Sequence, residues 1–521
     1  MEPPKGIGRR NMLKALAGVP VLGLFGAQLW RKYNNYRKND IRLEIIRELG
    51  LEDLHLSVQK IIPSQGDLIR IGMVGFGARG PQLAAALGFM TDKQYENAER
   101  DGTLEPQRQY GNLHVAITGI CDVYDRHAEK GIGAARNDIF TGGEISRQHP
   151  VKRYLHYHEM LNDPEIDAVM IATPDHHHAQ MTIDAVRAGK HVYCEKAPVH
   201  REEEIAPWYD AVRNSEVVYQ LGHQIPQNAV FQQAKEIVDR GLLGDISHAE
   251  TTTNRNTASG AWIRHLDAQG NPKPGDTRTI DWQQWLGKAP EVPFSVRRFY
   301  SWARYFEYET GIFGQLFSHE YDAINQLLEM GIPETAAASG GQYYYTEFGD
   351  IPDVLHTSFE YPSKGLTLTY SANLTSSKPR QRTIYGKDAS MTVGAHVMMT
   401  PDGNSERYAD LLERGLVTTD VPMFRVMKGS DLTNPVDAIT SATVQYYASR
   451  GLTSTNIGGT EYGVTHLHVK EWIDTIRNGG VPSANIEKAY VEAVTLVMAD
   501  ISFREKRITQ WDPEGKRIIR I

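Results

Sequence analysis

The apolar positions of this chain fall into two regimes. Between residues 68 and 224, short apolar runs at 68–74, 115–121, 168–173, 191–194 and 217–221 alternate with stretches of helical periodicity at 82–90, 181–188 and 205–212. Runs of this length, bounded by turn residues, are strands buried on both faces, and their alternation with helices predicts a doubly wound parallel sheet. From residue 225 the pattern changes to a helix at 231–240 followed by strands at 248–253, 355–361 and 366–370 that are apolar on one face only. An open, mixed and mostly antiparallel sheet with helices on one side is expected there. A chain of 521 residues needs more than one core. The pattern places an α/β unit at 68–224 and a second α/β unit at 225–521, with a linker helix at 41–67 before them.

The first forty residues have a different character. Lys5, Arg9 and Arg10 precede an apolar run at 12–30 that only Lys14 and Gln28 interrupt. The string Arg9-Arg10-Asn11-Met12-Leu13-Lys14 resembles a twin-arginine export signal. Leu24, Phe25 and Trp30 crowd the candidate cleavage positions, and Arg31, Lys32, Arg37 and Lys38 follow. A periplasmic protein, or one tethered to the outer face of the inner membrane after passing the twin-arginine translocon, is the expectation. The net charge of −8, without blocks of like charge beyond the N-terminus, argues against nucleic acid as the main partner. Cys121 and Cys194 are the whole thiol complement and sit in apolar runs expected to be neighbouring buried strands, so no disulfide framework is expected.

The chemistry begins at the first strand. It runs directly into Gly75-Phe76-Gly77-Ala78-Arg79-Gly80 and then a helix, which is GxGxxG in the strand-turn-helix setting that a Rossmann dinucleotide site requires. The first glycine permits the turn, the second lets a pyrophosphate approach the backbone, and the third lets the helix pack on the strand. The next strand ends in Asp122, delayed by a polar insertion at 91–112. A carboxylate there accepts ribose hydroxyls and repels a 2′-phosphate, which favours NAD, while Arg79 and Arg126 keep NADP open. Ligands of such sheets bind at the carboxyl ends of the strands. Thr173, Pro174 and His176 are therefore expected to line the cofactor site and His178 to brace it, with Glu195 and Gln224 at neighbouring strand ends. Adjacent side chains diverge, so His176, His177 and His178 are not expected to share a metal ion.

These strand ends read Ala172-Thr173-Pro174-Asp175-His176-His177-His178-Ala179 and His191-Val192-Tyr193-Cys194-Glu195-Lys196. Together with Asp281-Trp282, Trp285-Leu286-Gly287, residues 311–322 and Trp511-Asp512-Pro513, they resemble the glucose-fructose oxidoreductase and inositol dehydrogenase family, Gfo/Idh/MocA. The resemblance implies that Lys196 stands beside the nicotinamide and touches the reacting substrate oxygen, and that His319 relays the hydroxyl proton. A lysine placed next to a cationic ring is expected to have a lowered pKa, suiting it to proton transfer. Ala197 stands where the family usually has proline, which suggests a looser turn, and Gln315 where many members carry an aspartate four residues before the histidine. The resemblance also implies a homo-oligomer, dimer or tetramer, assembled through the second sheet. The aromatic and arginine-rich stretch 297–308 suits a sugar ring or core packing about equally. Three functions follow: a sugar, glycoside or cyclitol oxidoreductase that keeps its cofactor, a redox-neutral NAD-dependent glycosidase, and a non-catalytic sugar-binding protein on the same fold.

Overall fold

In the computed structural model the described residues are Arg47, 64–427, 452–457 and 460–521. The export signal expected at 1–40, and all of the linker helix expected at 41–67 except Arg47 and 64–67, lie outside them. Among the described residues no helix is long and apolar enough to cross a membrane.

The first unit is a six-stranded parallel sheet. Strands β1 (Ile69–Val74), β2 (Val115–Cys121), β3 (Lys152–Tyr154), β4 (Ala168–Ile171), β5 (His191–Cys194) and β6 (Tyr219–Leu221) lie in the order 3-2-1-4-5-6. Every residue of β2 and β4 is buried, as runs covered on both faces must be. The order corrects one expectation: β2 and β5 are separated by β1 and β4, so Cys121 and Cys194 are not on neighbouring strands. Both thiols are free and buried. The order reverses between β1 and β4, and the crevice at that switch point is where such sheets take ligands.

The second sheet has ten strands. It comprises β7 (Ile246–Asn254), β8 (Thr335–Gly341), β9 (Val354–Tyr361), β10 (Leu366–Asn373), β11 (Arg382–Gly386), β12 (Ala389–Val393), β13 (His396–Pro401) and β14 (Phe424–Met427), closed at the other edge by two late strands. Beyond a separate hairpin, β15 (Ser454–Ile457) with β16 (Thr460–Gly463), those late strands are β17 (Thr509–Asp512) and β18 (Arg517–Arg520). The pairing is antiparallel except between β7 and β10. Burial alternates along β10, which is the period-two pattern of a sheet packed on one face. Under it lie the helices Ser318–Leu328 and Ile486–Glu505, the latter buried along most of its length.

The two units share more than a boundary. Helix Val464–Asn478 returns to the parallel sheet and buries Val469, Trp472 and Ile473 in one core with Ile71, Met73 and Tyr193. The polar insertion after β1 is itself ordered into helices Asp92–Arg100 and Leu104–Arg108. Thr91 caps the first of these in a reciprocal box with Gln94.

Candidate functional site

The turn after β1 shows why each glycine is there. Gly75 has φ of 88° and donates its N–H to the Cys121 carbonyl at 2.8 Å; a Cβ on it would stand 2.6 Å from the Ala172 oxygen. A Cβ on Gly80 would stand 2.8 Å from the Gly75 oxygen. Both positions are closed by the protein itself. Gly77 is different: a Cβ there would meet only the His127 ring, no nearer than 3.6 Å, and the residue lines a large cavity. Its bare backbone is left for a ligand, which is what a pyrophosphate approaching the N-terminus of helix Gly80–Leu87 requires. Phe76 contributes its amide alone, because its ring is fully buried in the core. That amide donates to Asp122 Oδ2 at 2.6 Å, and Tyr124 N–H donates to Oδ1 at 2.9 Å. Asp122 thus pins the turn as well as lining the cavity.

The cavity holds about 1040 Å³ and runs from this turn past Thr173, Pro174 and Lys196 to His319. Arg79 crosses its wall, donating from Nε to Glu195 Oε1 at 2.8 Å and from Nη2 to Gln224 Oε1 at 3.3 Å. Arg79 of the glycine turn and the two strand-end residues Glu195 and Gln224 are therefore one network.

The histidine triplet corrects two expectations. His176 does not line the cavity; it is buried, and its Nε2–H and that of His177 both donate to the Trp285 carbonyl, at 3.0 and 2.8 Å. The 3-10 turn Asp175–His177 brings the two ring centroids 3.9 Å apart with the rings tilted, so adjacent side chains do converge, on a carbonyl oxygen. Burial holds His176 well below the ordinary histidine range and His177 at about 4, which keeps both rings neutral donors. His177, not His176, faces the cavity. His178 has its two ring nitrogens 2.7 Å from the Ala197 carbonyl and 2.9 Å from that of Thr173, and so ties the turn after β5 to the turn after β4. The Lys196–Ala197 peptide is cis, and Ala197 is buried. Among the described residues no group of histidine, cysteine or carboxylate side chains is arranged to hold a metal.

Lys196 occupies the centre. Its Nζ donates to the Gly314 carbonyl and to Gln315 Oε1, each at 3.3 Å, and Gln315 Nε2 in turn donates to both oxygens of Asp175 at 3.1 Å. Gln315 sits in the π-helical turn Phe313–Phe317 that leads into helix Ser318–Leu328. Burial lowers the Lys196 pKa, opposed by the carboxylates of Asp175, Glu195 and Glu309. Burial raises Asp175, and it raises Glu309 well above the carboxylate range with the charge of Asp175 adding to it. His319 is held well below the ordinary range by burial and by the charges of Lys196 and His223. Its ring meets that of His223 edge-on, centroids 5.3 Å apart. His223 bonds Glu492 at 2.9 Å; burial pulls its pKa down, but Glu492 and Asp322 carry it above the ordinary value. Asp322 accepts from the Gln326 amide at 2.9 and 3.1 Å.

Sequence reasoning missed Asp175, Glu309, His223 and Glu492. Asp175 lies in a quoted motif, and His223 lies two residues beyond the β6 end, so the strand-end argument reaches both. Glu309 and Glu492 carry no local signal, because only the fold brings them to Lys196 and His223.

Two family models divide the chain as the fold does. The one described as an oxidoreductase family, NAD-binding Rossmann fold, matches residues 69–223, and its C-terminal alpha/beta domain matches 278–510. The chain belongs to the Gfo/Idh/MocA family. Its parallel-sheet unit is that family's NAD-binding domain, and the glycine turn, the bare Gly77 and Asp122 fit the dinucleotide. A levoglucosan dehydrogenase of Pseudarthrobacter phenanthrenivorans is 29% identical to this chain over 192 residues, 36% of this chain and 41% of that one. An uncharacterized oxidoreductase of Streptococcus pneumoniae is 26% identical, covering 40% of this chain and 47% of that one. A glycosyl hydrolase family 109 protein of Shewanella is 26% identical, covering 44% and 42%. The aligned stretches span less than half the length of these curated relatives. A solved levoglucosan dehydrogenase in complex with NADH and levoglucosan shares the fold at a TM-score of 0.54 and 16% identity, over 87% of this chain and all of that one.

Proposed function

We propose that this member of the oxidoreductase family oxidises a hydroxyl of a sugar, glycoside or cyclitol, with Lys196 as the group that takes the proton. The observation that carries the reading is the setting of Lys196 Nζ: in one cavity with the glycine turn, held by Gln315, with its pKa lowered. Bound NAD supplies the hydride acceptor. The protein's own part is proton handling and positioning. A neutral lysine within reach of a substrate hydroxyl accepts its proton as the alkoxide develops, and a lowered pKa enlarges the neutral fraction that can do so. Asp175, behind Gln315, stabilises the ammonium that results. His319, held neutral, orients the same hydroxyl. Phe299, Tyr300 and Trp302 form an aromatic wall of the cavity that suits a sugar ring.

A redox-neutral glycosidase is the second reading, supported by the Shewanella glycosyl hydrolase relative. It would use the same Lys196 step to oxidise the sugar transiently; the neighbouring C–H so acidified would be lost with the leaving group, water would add in its place, and the hydride would be returned last. Export by the twin-arginine route, tight retention of NAD through many cycles, and a dimer or tetramer built on the second sheet complete the proposal; they rest on Arg9-Arg10 and on the family resemblance. The test is a set of neutral and acidic sugars and their aryl glycosides offered to the purified protein without added NAD, following nicotinamide fluorescence and aryl release. Reduction of the bound nucleotide supports the oxidoreductase reading. Aryl release without net reduction supports the glycosidase. Neither response, with NAD bound, refutes both.

A further inference from the structure

The loop that joins β7 to helix Trp282–Leu286 brings two cations to the cavity wall, Arg264 and Lys273. Both are half-buried, and neither has an ion-pair partner among the described residues. The guanidinium of Arg264 has one long bond, from Nε to the Ser259 carbonyl at 3.4 Å. Lys273 Nζ lies over the Tyr300 ring, 5.1 Å from its centroid. Burial and the neighbouring charge of Arg255 bring Arg264 down to about 10 against the opposing pull of Glu309, and burial and the charge of Arg264 lower Lys273. Asp267, on the same loop, is already turned to the amides of Gln269 and Asn271, at 2.9 and 2.8 Å. Half-buried cations without a fixed counter-ion are costly unless an anion arrives to meet them. The pyrophosphate has its own seat at Gly77 and the helix N-terminus, which leaves these two groups for the other occupant of the cavity.

We propose that Arg264 and Lys273 form an anion-recognising subsite, so that the substrate is an acidic sugar, with the planar carboxylate of a uronate the group that a guanidinium fork fits best. This names the substrate class of the site described above and rests on its being a sugar oxidoreductase site.

The test uses the full chain with its cofactor and matched pairs of hexuronates and parent hexoses of gluco, galacto and manno configuration. Binding is read as a shift in melting temperature and by calorimetry, and turnover as nicotinamide fluorescence. At least one uronate should bind more tightly than its neutral partner. Arg264→Gln should weaken that uronate about 10- to 100-fold while leaving the neutral sugar and NAD as they were, and Arg264→Lys should lie between. A neutral sugar that binds as well as its uronate, or a Gln variant that binds uronate unchanged, overturns the subsite. A Gln variant that loses NAD affinity also overturns it, because the cations then serve the cofactor's phosphates. Binding decides the subsite and turnover decides the oxidoreductase reading, so the two can fail separately.

Discussion

Replacing Asp175 by asparagine separates the charge behind Lys196 from the hydrogen bonds that shape the turn. Asparagine keeps one oxygen for the Gln315 amide, replaces the other acceptor with an NH2, and removes the negative charge. The chain of contacts from Lys196 through Gln315 to Asp175 places ammonium and carboxylate at most about 9 Å apart, where a unit charge is worth roughly 2 kcal/mol at an effective dielectric constant near 20. That is a little over one pKa unit. The carboxylate supports the protonated lysine, so its loss lowers the Lys196 pKa below the already depressed value. The oxidation needs neutral lysine, and the acidic limb of kcat/KM against pH should therefore move about one unit to lower pH. Activity well above the limb should change little by comparison. The assay is sugar-dependent reduction of the bound nucleotide across pH 5 to 10, on wild type and variant, with circular dichroism as a check on folding. A limb that stays in place, or moves to higher pH, refutes the assignment of that limb to a lysine supported by Asp175.

The other expectations are sharper in outcome. Lys196→Ala should lower turnover by about 10²- to 10⁴-fold while NAD affinity, measured by calorimetry, stays unchanged. Gly77→Ala should fold with a normal melting temperature yet bind NAD at least about tenfold more weakly, whereas Gly75→Ala, with φ of 88° and a carbonyl in the way, should lose about 1–3 kcal/mol or more of stability. Burial raises Asp500 to about 7, opposed by Arg504, so the folded state binds its proton more tightly than the unfolded chain does. The stability this contributes is complete below about pH 4 and is lost as pH rises through 7. Asp500→Asn should therefore raise the melting temperature at pH 8, with the difference fading near pH 4. Glu320→Ala leaves the buried Arg382 guanidinium without its carboxylate and should cost about 3–5 kcal/mol in denaturant unfolding.

Where the fold was legible in the sequence, local physics was enough. Runs buried on both faces announced the parallel strands, and the glycine spacing announced the turn between β1 and its helix. Boundaries moved where a side chain could not speak for itself: the run 168–173 ends as a strand at Ile171, because the next residues turn out into the cavity. Helix Gly80–Leu87 starts two residues before the expected helix, with Pro81 in its first turn. Thr91 and Gln94 stood at capping-box spacing, so the helices of the insertion were readable and were passed over as polar chain. What could not be read is non-local. Nothing near Glu492 or Trp472 says that residues so far along the chain return to His223 and to the parallel sheet. His176 looked like a cavity residue because the order of a sequence cannot show that a 3-10 turn aims it at Trp285. Gln315 looked like the loss of a carboxylate, yet it is the bridge that connects Lys196 to one.

The central claim, that this chain keeps NAD and uses it through Lys196, is tested most directly by the nucleotide that travels with the folded protein. Purified protein is dialysed at length and denatured, and the released small molecules are weighed by mass spectrometry, for wild type and Lys196→Ala alike. The account predicts NAD or NADH in stoichiometric amount from both, with a sugar able to change the ratio of the two only in the wild type. Wild-type protein that releases no nucleotide after dialysis would contradict the retention, and one that also binds none when NAD is added would contradict the whole claim.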